Sequence, residues 1–503
     1  HDLVSDSTLT TETIRRASTL VNAAWAGGSR VVVRSLGLIS TIVLARLLTP
    51  EAFGLVAVAT AIRYLVEGFA PVSLQPALIY YRDTSETDYS TAWTLSLLRG
   101  VLLTCVIAAV APVLTHVYQT PDAESLVLCI ALLPLISAVA NPRFVAFQKD
   151  LNFKMLFFVE SGTKLSGVIT AITLAIVTRS AWALVGGVFA TAISRTLFTF
   201  LLASAPQGLS LASWRKLLRF SGWMSGATLL SATGSRLQPL ILGAFLTVPI
   251  VGVFHMAREL TTNMIEELAP TIRRVLFPTM ASVSPDSSEY RFLYRQGVAG
   301  LNMLILPLGT GLALVAPDLI PTVLGPQLVL AIFPIQLFAL GIVLAAPEQL
   351  AISAAMASGN TRFVFVRALI VTPIQLFAFV IGTFYFGLLG AVVGSLVGML
   401  AASVVNLFAG SRFAGLSVLG HYAVSHRSWM ALAIMVFWQR ALLLPLSSQE
   451  ILVRLPVTVV SCAGVYVAAH VCLWRLAGRP SGPEESILNI VQRRRTQRTL
   501  AVL

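Results

Sequence analysis

The sequence predicts an all-α, polytopic membrane protein of about 14 transmembrane helices, built as two parallel six-helix lobes plus two C-terminal helices. Three observations predict this class. Of 503 residues, 56% are hydrophobic and 11% are charged, whereas soluble domains carry about 25% charged residues. Mean hydropathy is +0.83, and apolar runs of roughly 20 residues, enough to cross the hydrocarbon as a helix, recur along the whole chain. A hairpin motif near the N-terminus also returns six spans later.

The apolar runs, bounded by charge, Pro or Gly, lie near 27–46, 52–79, 92–115, 124–142, 155–177, 181–204, 218–246, 250–277, 297–316, 327–352, 363–383, 387–410, 428–446 and 452–474. The loops between them are short, with no inserted soluble domain. A secretory signal would give a single short apolar run and a soluble remainder.

Lysine and arginine set the orientation. With the N-terminus inside, the inner segments hold Arg15, Arg16, Arg82, Arg143, Lys149, Lys154, Arg215, Lys216, Arg219, Arg273, Arg274, Arg291, Arg295, Arg362, Arg367, Arg412 and Arg427, and the tail adds more. The outer turns hold only Arg46, Arg179, Arg440 and Arg454. Both termini are therefore expected in the cytoplasm of a multi-pass bacterial inner-membrane protein. The net charge of +13 mostly reflects that orientation, so no nucleic-acid partner is expected.

Five segments follow: an N-terminal six-helix lobe at 1–205, a cytoplasmic amphipathic linker "PQGLSLASWRKLL" at 206–218, and a C-terminal six-helix lobe at 219–412. Two additional helices span 413–476, and a basic cytoplasmic tail occupies 477–503. The tail "PEESILNIVQRRRTQRTL" reads as an amphipathic helix whose first turn is Pro483, Glu484 and Glu485. It would lie on the anionic inner leaflet or bind a partner.

Several chemistries are not supported. Cys105, Cys129, Cys462 and Cys472 all lie in apolar runs without CxxC spacing and read as small hydrophobes. The histidines do not cluster, so no metal is expected. "SGTKLSG" from Ser161 is not a phosphate-binding P-loop. No catalytic constellation is visible, and the protein is not expected to be an enzyme.

The recurring hairpin begins with "LARLLTPEAFGL" at 44–55. Thr49 suits the N-cap, Pro50 the first helical position and Glu51 the positive helix start. The motif aligns with "LGAFLTVPIVGV" at 242–253, matching Leu44 with Leu242, Leu48 with Leu246, Thr49 with Thr247 and Gly54 with Gly252. One residue of slip then matches Glu67, Ala70 and Pro71 with Glu266, Ala269 and Pro270. Six intervening spans make the copies parallel repeats, related by an axis along the membrane normal.

The basic residues inside spans are Arg30, Arg34, Arg63, Arg99, Lys164, Arg195, Arg236 and Arg258. Each costs about 2.5–3.5 kcal/mol at a lipid-facing helix centre. Together they would cost about 20 kcal/mol, more than most folds' net stability. They must pair with acids, snorkel, or face water, and intramembrane ions of this kind are functional candidates. Arg63 with Glu67, and Glu160 with Lys164, have the i, i+4 spacing of internal ion pairs. Arg99 and Arg195 can also snorkel. Arg30 and Arg34 lie one turn apart without an acid in their helix, and Arg236 likewise lacks one. In the eighth span His255, Arg258, Glu259, Thr262, Asn263, Glu266 and Glu267 repeat every three to four residues, a polar stripe suited to a wet interior.

These residues resemble a known family. "LARLLTPEAFGLVAVA" and "NPRFVAFQKDLNF" (141–153) resemble segments of the polysaccharide transport family of lipid-linked oligosaccharide flippases, the Wzx-type branch of the multidrug/oligosaccharidyl-lipid/polysaccharide exporter superfamily. The second segment places Arg143, Phe147 and Phe153 as that family does. The likeness covers most of the first twelve spans, and the last third matches by hydropathy more than by residues. The second hairpin departs by placing Ala244 opposite Arg46. The resemblance implies a two-lobed, V-shaped bundle around a central cationic cavity. It also implies alternating-access transport of an undecaprenyl-pyrophosphate-linked sugar unit to the outer leaflet. Arg30, Arg34 and Arg236 would meet the pyrophosphate, with Arg63, Arg99, Lys164 and Arg258 completing the cationic set. Glu67, Glu259, Asn263, Glu266 and Glu267 would line the cavity or carry a coupling Na+ or H+, with no other cofactor. The thirteenth and fourteenth spans would help hold the lipid tail. Membrane lipid, a polysaccharide polymerase and export machinery are the implied partners. A cation-coupled multidrug exporter of the same superfamily is the competing reading, favoured by a cavity dominated by acids. A membrane glycosyltransferase or ligase would need sizeable outer loops with acid–base residues, which this chain lacks.

Overall fold

A computed structural model describes residues 25, 28–69, 74, 77–78, 81, 84–118, 121–150, 152–206, 208–218, 234, 236–262, 280, 283–358, 360–446, 450–480 and 482–485. Helices dominate, and the described residues contain no strand. The helices group into two compact units, His1–Gly252 and Val253–Leu503.

The helices are α1 (28–47), α2 (Pro50–Phe69), α3 (Glu86–Tyr118), α4 (Pro121–Ile130), α5 (Leu133–Val139), α6 (Val145–Lys149), α7 (Phe153–Thr178), α8 (Trp182–Leu202) and α9 (Gln238–Phe245). They continue with α10 (Val248–Thr261), α11 (Ser288–Leu319), α12 (Ile332–Ala345), α13 (Ala351–Ala357), α14 (Thr361–Ala414), α15 (Val418–Ala423), α16 (His426–Leu446) and α17 (Ile451–Leu476). Among the described residues, seven helical stretches are long and apolar enough to cross a membrane, or eight if one bent pair counts as a span. The predicted spans at 218–246 and 250–277 are described mainly over α9 and α10.

Polarity is distributed as lipid requires. Val177, Phe437 and Leu476 are among the most exposed side chains, while Gln238 and Asn302 are fully buried. In hydrocarbon, apolar side chains lose nothing by facing outward, and polar groups must find partners inside.

The predicted fourth span is bent by 63° where 124–139 meets 142–149. Pro142 ends one helix and Asn141 holds the corner. The Asn141 backbone N–H donates to Thr199 Oγ1 at 3.1 Å, and its side-chain amide donates to the carbonyls of Ala203 and Ser204 at 3.0 and 2.9 Å. Its Oδ1 accepts from the Arg143 N–H at 3.0 Å. A broken span is tolerated when its freed backbone groups are satisfied in this way.

The segment 206–218 is anchored on the first unit. The Ser210 N–H donates to Thr94 Oγ1 at 2.9 Å, and Lys216 Nζ donates to Asp88 Oδ2 at 2.7 Å. Leu217 is fully buried with Leu74, Leu78 and Val145. The segment is thus pinned to the start of α3.

The recurring hairpins adopt matching turns. Thr49 accepts the Ala52 N–H on its carbonyl at 3.1 Å and on its hydroxyl at 3.4 Å, so α2 starts at Pro50 as expected. Thr247 accepts the Ile250 N–H at 3.0 Å, and α10 starts at Val248. The Leu48 and Leu246 N–H groups close the preceding helices onto Leu44 and Leu242. Within the first unit, α2 and α10 then cross on the two matched glycines. A Cβ on Gly54 would sit 2.0 Å from the Val248 carbonyl oxygen, and one on Gly252 would sit 1.8 Å from that of Pro50. Val248 and Pro50 are themselves equivalent positions, so the contact is reciprocal, as a local two-fold axis requires.

Small residues also bring the legs of two long hairpins together. Between α7 and α8 the chain turns at Arg179, φ +48°, and Gly167 lies against Gly187 and Thr191. In the second unit, α14 is two antiparallel legs that meet at Gly387, φ +58° and ψ −135°, matching the predicted spans at 363–383 and 387–410. Gly382 and Gly390 face each other's carbonyls, and Gly394 and Gly398 face Ala378 and Gln375. Small-residue seams of this kind are how helices without a hydrophobic driving force gain close packing in lipid.

Gly387 occupies backbone space that L residues avoid. Gly387→Ala is expected to destabilise the protein by about 1–3 kcal/mol, read as a lower melting temperature of the purified chain in micelles. Gly464→Ala, where an added Cβ meets nothing within 4 Å, should leave melting unchanged or raise it slightly.

Candidate functional site

The in-span charges of the first unit form two groups. The first surrounds Tyr64. Arg63, Tyr64 and Glu67 lie on α2, Arg99 on α3 and Arg236 two residues before α9. Arg63 Nε donates to Glu67 Oε1 at 2.8 Å, so the expected i, i+4 pair forms. The guanidinium of Arg236 lies 4.1 Å from the Tyr64 ring centroid, and that of Arg63 lies 5.0 Å from it. Glu67 also acts electrostatically on Arg99. Glu67 thus acts on Arg63 and Arg99, and the ring of Tyr64 faces Arg63 and Arg236. Cation–π contacts strengthen as water is removed.

The second group lies along α1 and α7. Arg30 and Arg34 are half-buried on α1. Ser29 Oγ donates to Glu160 Oε2 at 2.5 Å, and Trp25 meets Phe157 edge-on with centroids 5.1 Å apart. Lys164 lies against Gly37, where an added Cβ would come 3.6 Å from its Cε and 3.8 Å from its Nζ. The expected Glu160–Lys164 pair does not form. Glu160 turns to Ser29, because α1 offers it a hydroxyl on a neighbouring helix.

In the second unit, His255 Nε2 lies 3.5 Å from Glu259 Oε2 across one turn of α10. Arg258 is half-buried beside them. Asn263, Glu266 and Glu267 lie outside the described residues.

Two features escaped sequence reasoning. Tyr64 reads as one more aromatic in an apolar helix, and Arg236, far away in sequence, joins Arg63 over its ring. Glu348 sits at the end of an apolar run, yet it is buried and accepts from Asn406 Nδ2 at 2.5 Å. Asn406 Oδ1 in turn accepts from Arg367 Nε at 2.5 Å. An acid in a span lacking nearby bases is the signal that could have flagged it.

A family model described as "Polysaccharide biosynthesis protein" matches residues 43–332. The chain belongs to that family. The matched region contains Arg63, Glu67, Arg99, Lys164, Arg236, Arg258 and Glu259, while Arg30 and Arg34 precede it. Among relatives, the lipopolysaccharide biosynthesis protein WzxC of Escherichia coli (strain K12) is 23% identical over 320 residues, covering 62% of this chain and 64% of that protein. The alignment therefore spans less than two thirds of that relative. The succinoglycan biosynthesis transport protein ExoT of Rhizobium meliloti (strain 1021) is 22% identical over 320 residues, covering 63% and 65%. Among solved structures, the lipid II flippase MurJ in an inward closed conformation superposes with a TM-score of 0.74, covering 90% of this chain and 99% of that one at 12% identity. That likeness establishes the polytopic helical fold.

If the Tyr64 group faces water, Arg236, which is exposed, should be reachable from it. With the native cysteines replaced by alanine, Arg236→Cys is expected to react with a charged, membrane-impermeant thiol reagent in membranes permeabilised to expose both sides. Leu240→Cys, buried one turn on in α9, should not react. Equal resistance of both would place Arg236 against lipid.

Proposed function

We propose that this protein is a flippase for a lipid-linked oligosaccharide. It moves an undecaprenyl-pyrophosphate-linked repeat unit from the inner to the outer leaflet of a bacterial inner membrane, for exopolysaccharide or O-antigen export. The observation that carries this reading is the cationic group around Tyr64, with Arg63 and Arg236 over its ring and Arg63 and Arg99 within the influence of Glu67. The family assignment, the transport and lipopolysaccharide names of its relatives, and the MurJ-like fold all favour it.

The chemistry follows from the residues. A pyrophosphate headgroup cannot enter hydrocarbon without replacing its hydration. Guanidinium groups supply paired N–H donors matched to phosphate oxygens. The Tyr64 ring supports the Arg236 guanidinium 4.1 Å from its centroid. Arg30, Arg34 and Lys164 add positive charge on the neighbouring helices, and Arg258 adds it in the second unit. The isoprenoid tail stays in lipid, so no bond is broken. Rocking of the two parallel repeats gives alternating access, with both termini in the cytoplasm. Glu67, Glu259, Asn263, Glu266 and Glu267 are candidates to carry a coupling Na+ or H+, and a polymerase and export machinery would take the product.

Replacing Arg30 and Arg34 together with Gln, or Arg236 with Gln, is expected to cut surface polysaccharide roughly tenfold or more in a complemented deletion strain, since a charge-assisted hydrogen bond contributes about 1.5–3 kcal/mol. Membrane insertion and melting should stay unchanged, and lipid-linked sugar should accumulate inside. Normal polysaccharide output from these variants would overturn the proposal.

A further inference from the structure

Past its last long helix the chain turns back on itself. Gly478 and Arg479 both take left-handed φ, +80° and +55°, and consecutive residues of this kind reverse a chain that has just left a helix. The returning segment is held in place. Trp474 Nε1 donates to the Pro480 carbonyl at 3.1 Å. The Pro483 ring lies against Gly300 of α11, where an added Cβ would come within 3.4 Å.

At the tip, Glu484 reaches between α16 and α17. Its Oε1 lies 3.2 Å from Arg427 Nη1 and 3.1 Å from His470 Nε2. The Glu484, Arg427 and His470 side chains are only 8%, 12% and 7% exposed. Tyr466 stacks on His470 with centroids 5.8 Å apart. Burial pushes the Glu484 carboxyl up, but the His470 hydrogen bond and the Arg427 charge outweigh it and hold the group below its ordinary value. An anion fills this socket.

The socket offers more than one carboxylate oxygen uses. His470 Nδ1 is buried without a hydrogen-bond partner among the described residues. Arg427 stands in the first turn of α16, where the helix dipole favours negative charge. Arg475 and Arg479 are exposed at the same end of α17, beside Leu476 at 84% exposure. Basic side chains next to a lipid-facing apolar flank mark headgroup depth.

We propose that Arg427 and His470 form a binding site for the phosphate of a membrane phospholipid headgroup, and that Glu484 is the chain's own occupant of that site. The phosphomonoester of phosphatidic acid brings three terminal acceptor oxygens, and a phosphodiester headgroup two, where Glu484 engages the donors through Oε1 alone. A phospholipid enters by displacing Glu484, which frees the tail. This site is separate from the Tyr64 group and does not depend on the substrate proposed above.

The test uses the full chain in maltoside micelles, which contain no phosphate, titrated with fluorescent phosphatidic acid. Glu484→Gln should bind at least tenfold more tightly than the unaltered chain, and adding Arg427→Gln should remove that gain. Equal binding by Glu484→Gln and the unaltered chain, or a gain that survives Arg427→Gln, overturns the proposal. A second measurement avoids altering the socket. With native cysteines replaced by alanine, maleimide labelling of Pro483→Cys, a position half-buried against Gly300, should rise several-fold on adding phosphatidic acid, and no rise overturns the proposal. An equal rise with inorganic phosphate alone would support the anion site and overturn the lipid as its source.

Discussion

Positive charge at bilayer depth is the constraint around which this molecule is organised. A guanidinium facing lipid costs several kcal/mol, and the chain carries many basic side chains inside its helices. Around Tyr64 the cost is met without full neutralisation. Glu67 takes Arg63 and acts on Arg99, while the ring face takes Arg236. Other basic side chains are held in ion pairs between elements. Arg454 pairs with Asp318 through two of its nitrogens, joining the ends of α11 and α17. Arg143 pairs with Glu86 at the start of α3.

The second constraint is that every backbone polar group in the bilayer needs a partner. It explains the hairpin construction, because a helix satisfies itself and a tight turn loses few bonds. It also explains where glycine sits. Helix pairs in lipid gain stability from close packing, and Gly167, Gly187, Gly382 and Gly390 let backbones approach to a distance that no Cβ permits. The reciprocal crossing of Gly54 and Gly252 serves the same end between the two hairpins of the recurring motif.

The flippase function proposed above requires a charged headgroup to be welcomed without being held. Fully paired arginines would offer nothing, and bare ones would not survive in the membrane. Sharing one carboxylate and one aromatic face among several cations lies between these limits. The socket filled by Glu484 follows a related logic, since a resident anion keeps Arg427 and His470 stable until a better one arrives.

Much of this was legible in the chain. Composition and run length determined the membrane class, since a chain so poor in charge cannot cover itself with polar surface. The helix start at Pro50, the break near residue 387 and the recurring hairpin also came from sequence, because capping, turn preference and periodicity act over a few residues. The Arg63–Glu67 pair was equally local. Only the tertiary structure decided that Glu160 prefers Ser29 to Lys164, that Tyr64 receives Arg236, that 206–218 is pinned to α3, and that Glu484 folds back onto Arg427 and His470. Each of these joins residues far apart in sequence, and long-range electrostatic partners are chosen by which helices pack together, something that no local pattern encodes.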